Sequence, residues 1–160
     1  MASIELRRPM SRFAAILFAV GGMMGSGLVL AGGGHAAALG MPSDPAKATR
    51  SIEVDMTDAM RFVPDRIEIK SGETIRFQVK NSGQMAHEFV LGTAQKLRRH
   101  AEWMRQHPEM EHDDPNAIKV DPGKTAELIW HFNHVGTFDF ACLVPGHFEA
   151  GMAGKIIVRR

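Results

Sequence analysis

Between Ser51 and Val79 apolar and polar side chains alternate almost one for one, and no other feature limits the fold of this chain as much. "SIEVDM" sets Ile52, Val54 and Met56 against Ser51, Glu53 and Asp55, "RIEIK" offers Ile67 and Ile69, and "TIRFQV" sets Ile75, Phe77 and Val79 against Thr74, Arg76 and Gln78. A period of two gathers one set of side chains on a single face of an extended strand, so each segment reads as a strand with one dry face. Turn residues separate them, with "VPD" at 63–65, "KSGE" at 70–73 and "KNSGQ" at 80–84. "HEFVLG" continues the series, and "AELIWHF" follows behind the turn "DPGKT". "TFDFAC" then places Phe138, Phe140 and Cys142 in one phase before "GKIIVR" ends the chain. About seven short strands, with turns roughly every 8 to 12 residues, predict an all-β fold, a Greek-key antiparallel β-sandwich.

One stretch breaks the alternation. "TAQKLRRHAEWMRQH" spaces Leu97, Ala101 and Met104 along one face of an amphipathic helix, and Pro108 stops it. "PEMEHDDPN" is acidic and turn-rich, a surface loop. Residues 93–122 therefore read as an insertion, carrying one short helix, between two strands of the sandwich.

The chain opens on a basic segment, "MASIELRRPMSR", followed by the apolar "FAAILFAVGGMMGSGLVLAGGG" and a small-residue exit with Ala36 and Ala38 in an A-x-A pattern. Residues 1–40 read as a signal peptide cleaved near 38–40, with 41–160 as one mature domain. A retained membrane anchor is the competing reading, because the apolar run is long enough to span a bilayer. Arg7 and Arg8 leave the twin-arginine route open beside the general one. Without the signal, 16 basic and 17 acidic side chains remain, a net charge near −1 that gives no case for nucleic acid. A monomer that is free of the membrane after cleavage is the expectation, located in a periplasm. Cys142 is the chain's one cysteine, so an exported form lives in an oxidising compartment with no disulfide, and its thiol needs burial or a metal.

The tail "CLVPGHFEAGM" arranges Cys142, His147 and Met152 as C-x4-H-x4-M, on a loop between two strands. A thiolate, two imidazoles and a weak axial thioether are the donor set of a blue-copper centre. His87, opening the strand after "KNSGQMA", is the best candidate for the second imidazole, and Phe89 and Leu91 share its phase. Singly, each of these residues has an ordinary reading: a buried small hydrophobe, a satisfied histidine, a methionine filling space. Their conjunction on one loop of a β-protein favours one copper ion held by His87, Cys142, His147 and Met152. Pro145 has no N–H to donate toward the sulfur. Seven methionines and seven histidines follow residue 40, more than one such site uses. Met85, Met110 and His112 are candidates for a second, weaker copper site, with helix packing and a solvated loop as the other reading. Trp103 and Trp130 read as packing residues, and His131 and His134 as strand-end residues facing solvent or capping a turn.

These residues resemble the cupredoxins, the type 1 blue copper proteins that include plastocyanin and azurin, and the resemblance covers the whole mature chain. It implies that His87 is the upstream imidazole ligand, Cys142 the thiolate, His147 the second imidazole, nearer the surface, and Met152 the axial thioether. "MAHEFVLG" with the stretch 97–132, most of the insertion and the strand after it, resembles more closely a periplasmic branch linked to copper tolerance, the CopI-like proteins, which implies a role in copper homeostasis. Many cupredoxins carry Asn after the upstream histidine, where this chain has Glu88. Ala141 and Leu143 flank Cys142, whereas multicopper enzymes place histidine there, and a binuclear centre needs two cysteines. No enzyme activity is expected. A soluble electron shuttle, with a redox partner docking near His147 on Leu143, Val144, Pro145 and Phe148, is the alternative function.

Overall fold

The computed structural model describes residues 39–108 and 114–160. Residues 1–38 of the expected signal, and Met110 and His112 of the acidic loop, lie outside the described residues. Among the described residues ten strands form two five-stranded sheets. One sheet runs β1 (Met41–Pro42), β8 (Thr125–His131), β5 (Thr74–Asn81), β2 (Arg50–Thr57) and β3 (Arg61–Val63); the other runs β4 (Arg66–Lys70), β10 (Ala153–Arg159), β9 (Gly136–Ala141), β6 (His87–Gly92) and β7 (Ala117–Val120). This is the expected sandwich. Its pairing is mixed, since β2 runs parallel to β5 with Ile52 beside Phe77, and β4 runs parallel to β10 with Ile67 beside Ile156. Alternation is the same in parallel and antiparallel strands, so the sequence pattern is silent on this point.

The inward phase of the alternating segments forms the core: Val54, Met56, Ile67, Ile69, Ile75, Phe77 and Val79 from the first strands, then Phe89, Leu91, Trp130, Phe138, Phe140, Ile156 and Val158 are buried, with Ile52 part-buried against them. Phe140 meets Phe62 edge-on at 5.0 Å between ring centres and Phe89 at 5.1 Å, while Phe89 lies 5.2 Å from Phe77. These rings cross from one sheet to the other, and each buried aromatic of this kind contributes about 1.5–3 kcal/mol through burial. Gly154, opposite Phe140 in the β9–β10 pair, is required by this packing, because a Cβ there would lie 2.2 Å from the ring's Cζ.

The helix α1 (Ala94–Gln106) begins after Thr93 and ends at His107, just before Pro108. Its buried residues are Leu97, Ala101 and Met104, the face predicted from spacing. Leu97 and Ala101 pack with Val90, Ala141 and Leu143, the outward-facing residues of β6, the end of β9 and the loop beyond it. Phe89 and Leu91 of "HEFVLG" meet the sandwich core, whereas Val90, in the opposite phase, meets the helix. Trp103 differs from its expected packing role; it is 37% exposed and stacks on His107 at 4.5 Å. The stretch expected as an insertion also contains β7, which extends the second sheet by pairing antiparallel with β6, His87 beside Val120 and Phe89 beside Ile118. No helix among the described residues is long and apolar enough to cross a membrane.

Candidate metal centre

The elements that bring the expected donors to one end of the sandwich, β6, β9 and β10, all belong to the second sheet. His87 is the first residue of β6, Cys142 directly follows β9, and Met152 directly precedes β10, so the loop carrying His147 is anchored at both ends by adjacent strands. His87, Cys142 and Met152 are fully buried, and His147 is 9% exposed. The Nδ1 atoms of His147 and His87 lie 3.3 and 3.9 Å from the Cys142 Sγ, and 3.1 Å from each other. Donors about 2.0–2.3 Å from a shared ion stand roughly 3–4 Å apart, so this spacing fits one ion. Among the described residues this is the grouping of His, Cys, Asp or Glu with metal-binding reach.

The loop is bonded to itself and to its neighbours. Cys142 N–H donates to the Met152 carbonyl at 3.1 Å, Met152 N–H to His147 O at 3.0 Å, and His147 N–H to Val144 O at 3.0 Å. Arg61, from β3, donates to the Met60 carbonyl and across to Ala150 at 3.1 Å, holding the approach to Met152. Such a loop holds its donors in place before an ion arrives, which limits the reorganisation that binding requires.

His87, the expected upstream ligand, is held by residues that the sequence reading passed over. Asn81, fully buried at the end of β5, donates through Nδ2 to the carbonyls of Met85 and Val120 and accepts from Gly83 N–H. It clasps the turn before His87 to β7. Asp58, in the β2–β3 turn, accepts from the N–H groups of Gln84 and Met85 and lies 3.2 Å from His87 Nε2. Gln84's N–H, more than His87 or Met85, holds this carboxyl below the usual range despite some opposing desolvation. Asp and Asn are ordinary turn residues, so their identity alone carried no signal of a second task.

Burial pushes the Cys142 thiol from 9.0 up to about 11, although the N–H groups of Glu88 and Val144 pull the other way. The Glu88 N–H lies 3.3 Å from the sulfur. The two ligand loops are thus joined through main chain, and the side chain that departs from the common Asn is not needed for that link. His147 is held below the usual histidine range, first by burial and then by His87, with Asp58 acting in the opposite sense. Both shifts favour the uncharged forms in the metal-free state. Met85 is 42% exposed in the bend before β6, so it does not share the buried face of His87. His131 accepts or donates through Nδ1 with Thr74 Oγ1 at 3.0 Å, and His134 is exposed.

A sandwich with buried thiol, two converging imidazoles and a thioether-bearing loop defines a cupredoxin, and the chain belongs to the plastocyanin/azurin family of copper binding proteins, which it matches over residues 48–159. Among its relatives is the copper-resistant cuproprotein CopI of Rubrivivax gelatinosus, 52% identical over 120 residues that make up 75% of this chain and 73% of the relative. CopI of Pseudomonas aeruginosa is 39% identical over 154 residues, with 78% and 84% covered. A dithionite-reduced auracyanin from Roseiflexus castenholzii shares the fold, with a TM-score of 0.61 at 20% identity over 71% of this chain and 99% of that one.

Proposed function

We propose that the protein is a periplasmic copper-resistance cupredoxin that holds one ion through His87 Nδ1, Cys142 Sγ, His147 Nδ1 and the Met152 thioether. The observation that carries this reading is the convergence of a thiol and two imidazole nitrogens, separated by as many as 60 positions in the chain, at 3.1 to 3.9 Å. Soft sulfur with imidazole suits copper in both oxidation states, and when bound the metal supplies a one-electron couple. The chain's own part is to shed the Cys142 proton, present two neutral imidazoles, and keep bulk water from three of the four donors. Resistance follows from holding copper away from other thiols; the name of the relatives supports that role over a purely respiratory one. No catalytic step is assigned to the centre.

Residues 1–40 are read as a signal cleaved near residues 38–40, with 41–160 as a monomeric mature domain. Leu39 is buried in the core with its carbonyl 3.4 Å from Trp130 Nε1, which favours the early end of that cleavage window. A second reading, an electron shuttle docking near His147, is favoured by that ring being the less buried of the two imidazoles, beside an exposed Pro145 and the part-buried Val144 and Phe148.

Optical and paramagnetic spectra of copper-loaded protein beside Cys142→Ser test the centre. Loss of the thiolate-to-copper signature in the variant is expected, and identical spectra would overturn the assignment. Disrupting the gene separates the two roles: copper sensitivity with normal respiration supports resistance, and impaired respiration at low copper supports the shuttle.

A further inference from the structure

We propose that Asp58 is a positioning residue of the copper centre, fixing His87 in the tautomer that turns Nδ1 toward the metal and biasing the bound ion toward Cu(II). The inference rests on the centre proposed above. His87 is fully buried, so neither ring nitrogen is open to bulk solvent. Nδ1 faces the Cys142 sulfur and His147, and Nε2 faces Asp58 Oδ1 at 3.2 Å. A neutral imidazole carries one N–H, and an ionised carboxylate can only accept; the proton therefore sits on Nε2 and the lone pair of Nδ1 is left for the ion.

The carboxylate is built into its place. Two main-chain donors, Gln84 N–H at 2.7 Å and Met85 N–H at 3.3 Å, hold its two oxygens. Gly83 leaves the room it occupies, since a Cβ there would fall 2.1 Å from Oδ1. Asp58 belongs to the turn between β2 and β3, in the sheet opposite β6, so it bonds the ligand-bearing strand to the other half of the sandwich. A carboxylate behind a metal-bound histidine raises the basicity of the ligand and adds negative charge near the ion, and both effects favour the higher oxidation state.

Copper-loaded Asp58→Asn, which keeps the shape and removes the charge, should bind Cu(II) about 10- to 100-fold more weakly, the range seen when such partners of a ligand are changed. Cu(I) binding should change less. A tenfold difference between the two states raises the reduction potential by about 59 mV, read by equilibrium redox titration. Unchanged Cu(II) affinity and potential in a folded variant overturn the proposal. Nitrogen-15 NMR of metal-free wild-type protein gives a check that needs no variant: a proton on His87 Nε2 is expected, and a proton on Nδ1 overturns it. Wild-type protein with no thiolate-to-copper band would instead reject the centre itself, a result distinct from failure of the Asp58 role.

Discussion

Raising the pH on metal-free protein should destabilise it through a single buried thiol. Cys142 is fully buried, and its thiol is pushed from 9.0 to about 11, first by that burial. Below pH 9 the proton is present in folded and unfolded chains alike. From pH 9 to 11 the unfolded chain gives up a proton that the folded chain keeps, so stability falls as pH rises, and above pH 11 the loss is complete. A shift from 9.0 to about 11 at 1.36 kcal/mol per unit corresponds to about 3 kcal/mol, a large part of the roughly 5–15 kcal/mol by which domains are stable. The chain contains no tyrosine, so no phenol titrates in the same window. The assay is urea unfolding of apoprotein followed by tryptophan fluorescence at pH 8, 9, 10 and 11, beside Cys142→Ala. Wild type should lose about 3 kcal/mol more than the variant across that range, while the variant reports the remaining titrations. Equal losses in the two proteins would refute the assignment of this linkage to the thiol.

The same shift means that copper loading near pH 8 should release about one proton per ion from Cys142, measurable with a weakly buffered indicator; uptake without release would contradict a protonated thiol in the apoprotein. Gly154→Ala places a methyl group 2.2 Å from the Phe140 ring and 2.6 Å from the Asp65 carbonyl, and should cost about 1–3 kcal/mol or more in denaturant unfolding. Asn81→Ala strands the Met85 and Val120 carbonyls and the Gly83 N–H, and a loss of about 2–4 kcal/mol is expected in the same assay, with faster copper release to a chelator. Leu97→Ala removes the helix's anchor on Val90 and Leu143 and should cost about 2–5 kcal/mol, checked by thermal melting of the apoprotein.

The sandwich and the grouping of His87, Cys142 and His147 were legible in the sequence for different reasons. Alternation reports burial directly, so the core phase of β2, β4 and β5 could be read residue by residue. A copper-type donor set restricts residue identity as well as spacing, which is why Cys142, His147 and Met152 stand out within one loop. Short elements were hidden: β1 has two residues and "AIKV" of β7 four, too few to show a period. Asp58 and Asn81 were hidden in another way. Each occupies or borders a turn where its residue type is common, and its second task depends on partners up to 39 positions away. Parallel pairing leaves no trace in alternation, and strand order had to come from the structure.

The helix is more than an ornament on an otherwise plain sandwich. It rests on β6 and on the junction of β9 with the ligand loop, the two places from which His87 and Cys142 project. Slackening at that contact would reach both donors together, so the segment least like a sandwich acts as a brace on the jaws of the centre.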